Sequence, residues 1–544
     1  MTDISVIWLN YNDAAPNHGY WCYGWLEEAF INCAEDTAPH TFYWGSKVDI
    51  HSGREDGAIV IIPAEYNAEH VDEINAALYN LPWAVVILAS DERGLFPVEE
   101  LISVDALWVM TPHFEKHTYP SNTNFLEEFY PQDARMQISK FKSQGMQKPF
   151  QCSFSGQITH DRRYKMVEAL SWVPYINQTP GFTQGLSRDV YYRLMSMTRC
   201  TPAPSGPVTV DSFRAFECLE AGGIPILDTI CPEEQDGTKY WNEVLGQGHP
   251  LPTIKDWNDA HDIVDDIDNN WPLSGNLVYS WWQLHKRETR NRILDGVPGY
   301  DHGEYTILIP TSPIPSHPST AILDETIASV RFHHPNADIL VMCDGIRPEQ
   351  EHRRDDYDKY VQEVCWKANF EWHNVYPIVF AGHEHQAGMT RVALDYVRTP
   401  LIIFVEHDTP LVTDEPIDWR NITHLMHANA IDVLRFHFES GIHPEHETMM
   451  LNSNTVEVFG VPIRGTVQWS QRPHVSTASY YRRMLAEHFP LTSRTMIEDK
   501  MHSVAQQFSH DNIIAIYHPD TGNIKRSLHT DGRENDPKYE MVYK

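Results

Sequence analysis

No Cys-x-x-Cys pair occurs among the eight cysteines, which are scattered at positions 22, 33, 152, 200, 218, 231, 343 and 365, so neither a zinc knuckle nor a disulfide framework is indicated. Most read as reduced, buried small hydrophobes. No apolar run approaches the roughly 18 to 20 residues that a spanning helix needs, and the start, MTDISVIWLNYNDAAPNHGY, has no basic n-region or cleavage site. The expectation is a soluble, cytoplasmic chain with no membrane insertion. Positive charge is in deficit, with 42 Lys plus Arg against 75 Asp plus Glu and a formal charge of −33. That balance opposes non-specific attraction to polyanions and argues against a broad DNA-wrapping surface. Short repeats and low-complexity tracts are absent, and the 36 prolines punctuate loops without forming a polyproline linker. What remains is 544 residues, 42% of them apolar, enough for three or four domains at roughly 150 residues each.

Short apolar runs recur at 4–9, 58–62, 84–89, 106–110, 150–154 and 223–227, with helical stretches between them. The alternation predicts parallel strands joined by crossover helices, the α/β class. The polar segment KFKSQGMQK (140–148) places a boundary near 147, and TRNRILDGVPGYDHGE (289–304) places a second after a helical aromatic stretch at 279–284. Three domains are therefore expected: 1–146 and 147–298, both Rossmann-like, and 304–544.

The third stretch carries the sharper chemistry. A strand (YTILIP), a Pro- and Ser-rich loop, a helix over 320–332, a strand (ADILVMCDG) and a later strand (TPLIIFVEHDTPLV) follow in order. The last strand ends in Glu406, His407 and Asp408, so two carboxylates at alternate positions can point the same way beyond a buried run. Hard oxygen ligands there suit Mn²⁺ or Mg²⁺, which would neutralise a departing nucleoside diphosphate. The plainer reading is a solvated acidic loop. The order ILIPTSPIP, helix, ILVMCDG, then GMTRVALDYVRTPLIIFVEHD resembles the nucleotide-sugar-binding core of GT-A glycosyltransferases over 305 to about 412. The resemblance implies a nucleobase near Pro310 and Thr311, a base or ribose contact from Asp344, and Arg391 facing the donor. It also implies Glu406 and Asp408 as metal ligands, with Glu-x-Asp standing where the family usually has Asp-x-Asp. Within TSRTMIEDKMHSV, Glu498 and Asp499 begin a helix, and inverting members of that family resemble this with an acidic pair supplying the base. His518, after IIAIYHP, resembles the late histidine that completes the metal shell, with His529 an equal rival.

In the N-terminal half, FRAFECLEAGGIPIL (213–227) resembles the donor-binding domain of exostosin-like GT-B glycosyltransferases. Arg214 and Glu217, at i, i+3, share one helix face, and the resemblance gives them the diphosphate and the ribose hydroxyls. Ser155 and Gly156 follow a strand and precede a helix carrying Arg162, Arg163 and Lys165, a setting for diphosphate binding at a helix start. Residues 1–146 would then be the acceptor side, where His18, Gly19, Asp91, Glu92 and Arg93 lie at expected strand ends, and Trp21, Trp25 and Trp44 could stack on sugars.

The whole resembles the exostosin plan of a GT-B unit followed by a GT-A unit. It implies two nucleotide-sugar-dependent transferase modules acting on one glycan or carrier acceptor, the C-terminal one with a divalent cation. Two alternatives stand beside it. The acceptor is hydroxymethylated pyrimidine in DNA, as for some bacteriophage transferases, with Arg464, Arg472, Arg482, Arg483, Arg494, Lys500, Lys525 and Arg526 as a local basic groove; or the chain is a non-catalytic glycan-binding scaffold on degenerate transferase folds.

Overall fold

The computed structural model describes residues 4–9, 24–30, 40–45, 57–63, 68–131, 133–181, 184–233, 235–509 and 512–530. His18, Gly19, Trp21, Cys22 and Cys33 lie outside the described residues, as does the side chain of Trp44. The chain divides into two compact units, 1–301 and 302–544. Both are α/β, built on parallel strands. No helix among the described residues is long and apolar enough to cross a membrane.

The first unit holds two parallel sheets. One has six strands in the order His40–Gly45, Ile4–Leu9, Ala58–Ile62, Ala84–Leu88, Ala106–Met110, Thr123–Leu126. Ala58–Ile62 and Ala84–Leu88 are buried at every residue. A parallel sheet covered on both faces needs such unbroken apolar runs, and this is why they were legible. The other sheet has four strands in the order Thr253–Ile254, Ile224–Asp228, Thr198–Ala203, Phe150–Cys152. A small parallel pair, Phe154–Gln157 with Ile176–Thr179, stands apart. The run 150–154, read as one strand, is thus split between two sheets. A 23-residue helix, Leu273–Asp295, closes the unit, with Lys286 ion-paired to the buried Glu220. Trp25 is core, stacked on Phe129 at 4.3 Å between ring centroids, so it offers no platform for a sugar. The six described cysteines are free and buried, as expected of small hydrophobes.

The second unit is built on a nine-stranded mixed sheet. Its parallel half runs Val375–Val379, Asp338–Cys343, Tyr305–Thr311, Leu401–Phe404. His474–Thr477 then pairs antiparallel with Leu401–Phe404, and Val433–Arg435, Ile514–Tyr517, Val461–Thr466 and Val456–Val458 complete the sheet. Every residue of Tyr305–Thr311 and Leu401–Phe404 is buried. The chain leaves the parallel strands at one end of the sheet, where an open α/β sheet gathers its loops into a crevice.

Candidate functional site

A cavity of about 370 Å³ in the second unit lies at those strand ends. Pro310 and Thr311 line it from one strand, Asp344 and Arg347 from the next, and Glu406, His407 and Asp408 from the segment after Leu401–Phe404. His385, Gln386 and Met389 reach it from the first turn of helix His385–Asp395, and Met496 and Asp499 from the start of helix Ile497–Gln507. His529 closes the lining. The expected residues Pro310, Thr311, Asp344, Glu406, Asp408 and Asp499, far apart in the chain, therefore share one cavity.

Their side chains differ in what is left to offer. Thr311 is committed to the Tyr360 hydroxyl at 3.0 Å. Asp344 Oδ1 accepts the backbone N–H groups of Gly345 and Glu384, at 2.9 and 2.8 Å, and Oδ2 lies 2.8 Å from His383 Nδ1. This carboxylate therefore ties two strand-end loops together at the cavity wall. Gly345 permits the join, because a Cβ there would come within 2.2 Å of the Gly382 backbone.

The acidic pair is asymmetric. Glu406 accepts the Gln386 side-chain N–H at 2.7 Å, and Gln386 in turn accepts the Ile497 N–H, linking the pair to the helix that bears Asp499. Burial, then the nearby Asp408 and Glu498 charges, push the Glu406 carboxyl up to about 8. Burial acts the same way on Asp408, but a hydrogen bond from His529 and the neighbouring His407 outweigh it and hold that carboxyl below its usual value. His529 Nε2 lies 3.5 Å from Asp408 Oδ2. The C-terminal segment delivers it, since Leu528 and Thr530 donate to the carbonyls of Pro410 and Asp408.

Three expected residues stand elsewhere. His518 follows Ile514–Tyr517, three strands across the sheet from Leu401–Phe404, or about 14 Å at ordinary strand spacing. Its ring bonds Thr455 at 2.8 Å, so His529 is the histidine beside the acids. Arg391 donates to the carbonyls of Leu485 and Phe489, clamping helix Ala478–His488. At 100° per residue it points about 200° away from Met389, which faces the cavity. Glu498 accepts the Gln471 N–H at 2.9 Å, leaving Asp499 as the member of the acidic pair that lines the cavity. Arg347, His385, Gln386 and His407 were not singled out beforehand. The only sequence signal was the His-Glu-His-Gln run at 383–386, directly before a helix expected to begin at 388.

Among the described residues no group of three or more His, Cys, Asp or Glu side chains is arranged to hold a metal ion. The expected set of Glu406, Asp408 and His518 does not converge. Glu406, Asp408 and His529 all line the cavity, with His529 beside Asp408, and carboxylate oxygens are the donor type that Mg²⁺ and Mn²⁺ take, with waters filling most of the shell.

In the first unit, Arg214 packs over the Phe154 ring at 4.8 Å and its Nε has no hydrogen-bond partner. Gly156 makes room for it, since a Cβ there would come within 2.5 Å of the guanidinium. Arg163 donates to the carbonyls of Ser205 and Gln157, and burial beside Arg214 draws its guanidinium down to about 9. Arg162 is closed in a two-point pair with Asp228. Glu217 is corrected: only 2% exposed, it accepts the hydroxyls of Tyr191 and Tyr192 at 2.6 and 2.7 Å and has no face for a ribose.

Five of the eight cations of the expected basic groove have partners within the unit. Arg464 pairs with Glu447, Arg483 with Asp432, Arg494 with Glu384 and the fully buried Arg526 with Glu415, while Arg482 donates to the carbonyls of Leu394 and Val397. Arg464 and Arg526 are themselves buried, whereas Arg483 and Arg494 are paired at the surface.

No family model matches the sequence, and no curated protein is matched by it. Solved structures are matched over part of the chain. S. aureus TarS matches at 13% identity over 42% of this chain and 37% of its own, with a TM-score of 0.26. TarS 1–349 in complex with UDP-GlcNAc matches at 12% over 42% and 59%, TM-score 0.26. A UDP-glucose pyrophosphorylase complexed with UDP-glucose matches at 10% over 40% and 91%, TM-score 0.26. The match spans less than two thirds of either TarS chain.

Proposed function

We propose that residues 302–544 form a nucleotide-sugar-dependent glycosyltransferase module of GT-A type. The observation that carries this reading is the single cavity at the parallel strand ends, where Pro310 and Thr311, the Glu406/Asp408 pair and Asp499 meet. Pro310 and Thr311 bound the nucleoside end. Asp408, Glu406 and His529 would hold a divalent ion, which when bound supplies Lewis-acid neutralisation of the leaving diphosphate. Asp499 accepts the proton of the acceptor hydroxyl as that oxygen bonds to the anomeric carbon and the bond to the diphosphate oxygen breaks. Gln386 sets the distance between the acidic pair and the Asp499 helix through its two hydrogen bonds.

Residues 1–301 fit a second donor-binding module of GT-B type, supported by a six-stranded and a four-stranded parallel sheet in succession and by Gly156, Arg163 and Arg214, with Glu217 removed from the set. The three domains of the sequence reading, 1–146, 147–298 and 304–544, belong to the same proposal. A glycan or carrier acceptor suits it better than DNA, because four of the cations that would line a DNA groove, Arg464, Arg483, Arg494 and Arg526, already face carboxylates. The test incubates the full chain with nucleotide sugars, UDP-linked ones first, with Mn²⁺ or Mg²⁺, and follows nucleoside diphosphate release. Metal-dependent release that Asp408→Ala abolishes is the expected result. A folded protein that releases none with any donor is the scaffold alternative, and the proposal falls.

A further inference from the structure

The cavity has a second pole that the reaction as described does not use. Arg347 Nη2 and His385 Nε2 lie 3.4 Å apart on the cavity wall. The Gln386 backbone N–H donates to His385 Nδ1 at 2.9 Å, so the hydrogen of the neutral ring is on Nε2. Two donors therefore face each other with no acceptor between them, and Arg347 has no carboxylate partner among the described residues. Burial, then the Arg347 charge, lower the His385 pKa, in keeping with a neutral ring. The backbone maintains this arrangement at some cost, since His385 has φ +55°, a left-handed conformation uncommon for a residue with a Cβ. Asp344 and Asp499 act on His385 in the opposite sense without reversing the shift; Asp344 is taken up by backbone N–H groups and His383, and Asp499 makes no ion pair with Arg347 among the described residues.

We propose that Arg347 and His385 form an oxyanion seat that binds a phosphoryl or carboxylate group of the substrate, apart from the Glu406/Asp408 pair. One oxygen placed between Nη2 and Nε2 accepts from both, and the planar guanidinium has further N–H groups for a second oxygen. This rests on the donor reading for its setting and adds the class of group recognised there: the diphosphate of the donor, or the carboxylate of an acidic sugar. The two sources are separable by experiment.

The test uses the full chain in chelator, so that any metal-held anion is lost and the seat alone is read. Pyrophosphate, UDP, uridine, UDP-glucose and UDP-glucuronate are titrated by calorimetry against the wild type, R347Q, R347K and H385N. Asparagine tolerates the left-handed backbone and its shorter amide stops short of the Nε2 position, so H385N withdraws that donor and keeps the loop. For a phosphoryl seat, R347Q weakens pyrophosphate and UDP by about 10- to 100-fold, as expected for losing a hydrogen bond to a charged group, leaves uridine unchanged, and H385N weakens both less. R347K recovers part of the affinity. For a carboxylate seat, R347Q leaves UDP unchanged and abolishes a preference for UDP-glucuronate over UDP-glucose. Equal affinity of wild type and R347Q for all five probes overturns the seat, as does failure of the wild type to bind any anion. Arg347-dependent pyrophosphate binding in a chain that releases no nucleoside diphosphate with metal keeps the seat and removes the donor reading.

Discussion

Asp91→Asn is expected to stabilise the first unit, and by an amount that depends on pH. Asp91 follows the strand Ala84–Leu88, is 3% exposed, and has Oδ1 without a partner, while Oδ2 accepts the Tyr119 hydroxyl at 2.8 Å. Burial raises its pKa from 3.8 to about 6 despite that hydrogen bond and the adjacent His117. The unfolded chain therefore loses its proton first as pH rises. Between those two values the folded state binds more protons than the unfolded one, so stability falls with rising pH, and the full cost is present above about 6. A shift of about two units at roughly 1.4 kcal/mol each gives a cost of about 3 kcal/mol at pH 8 and almost none at pH 3.5. Asparagine resembles the protonated carboxyl in size and can still accept from Tyr119, so it removes the cost. The assay is urea unfolding of the full chain read by pulse proteolysis, with surviving fragments assigned to residues 57–131 by mass. The expected difference between variant and wild type is about 3 kcal/mol at pH 8, shrinking steadily toward acid. A difference that does not vary with pH, or a variant less stable at pH 8, refutes the reasoning.

Glu217→Ala leaves two tyrosine hydroxyls without their acceptor and is expected to cost about 2 to 4 kcal/mol while nucleotide affinity stays unchanged; thermal unfolding and nucleotide titration of the folded fraction check both. His529→Gln is expected to weaken Mn²⁺ activation of nucleoside diphosphate release by about 10-fold or more, whereas His518→Gln leaves it unaltered; metal titrations of the two variants side by side decide. Asp499→Asn is expected to lower transfer to an acceptor by about 10²- to 10⁴-fold with donor affinity intact, measured as product formation against donor binding. Arg391→Met loosens helix Ala478–His488 without touching donor affinity, so its effect is read in thermal unfolding and is absent from the donor titration.

The parallel strands and the acidic strand end were legible because each is a local fact. A strand buried on both faces tends to be an unbroken apolar run, and Ala58–Ile62, Ala84–Leu88 and Leu401–Phe404 are such runs. Val456–Val458, exposed or half-exposed throughout, carries no such mark. The resemblance to the GT-A core gathered Pro310, Thr311, Asp344, Arg391, Glu406, Asp408, Glu498, Asp499 and His518 as candidates for one place, and all but Arg391, Glu498 and His518 line the cavity.

Which side chain stays free once the chain is packed was decided by the tertiary structure. Arg214 and Glu217 share a helix face by their spacing, yet two tyrosines from helix Arg188–Ser196 consume the carboxylate while the arginine keeps an unpaired nitrogen. His518 and His529 are equal in sequence. Sheet order puts one three strands away, and backbone pairing along 408–412 brings the other to Asp408. Hydrophobic periodicity reports which face of an element avoids water, a property of neighbours in the chain. Hydrogen-bond saturation depends on partners tens or hundreds of residues away, and no local pattern records them.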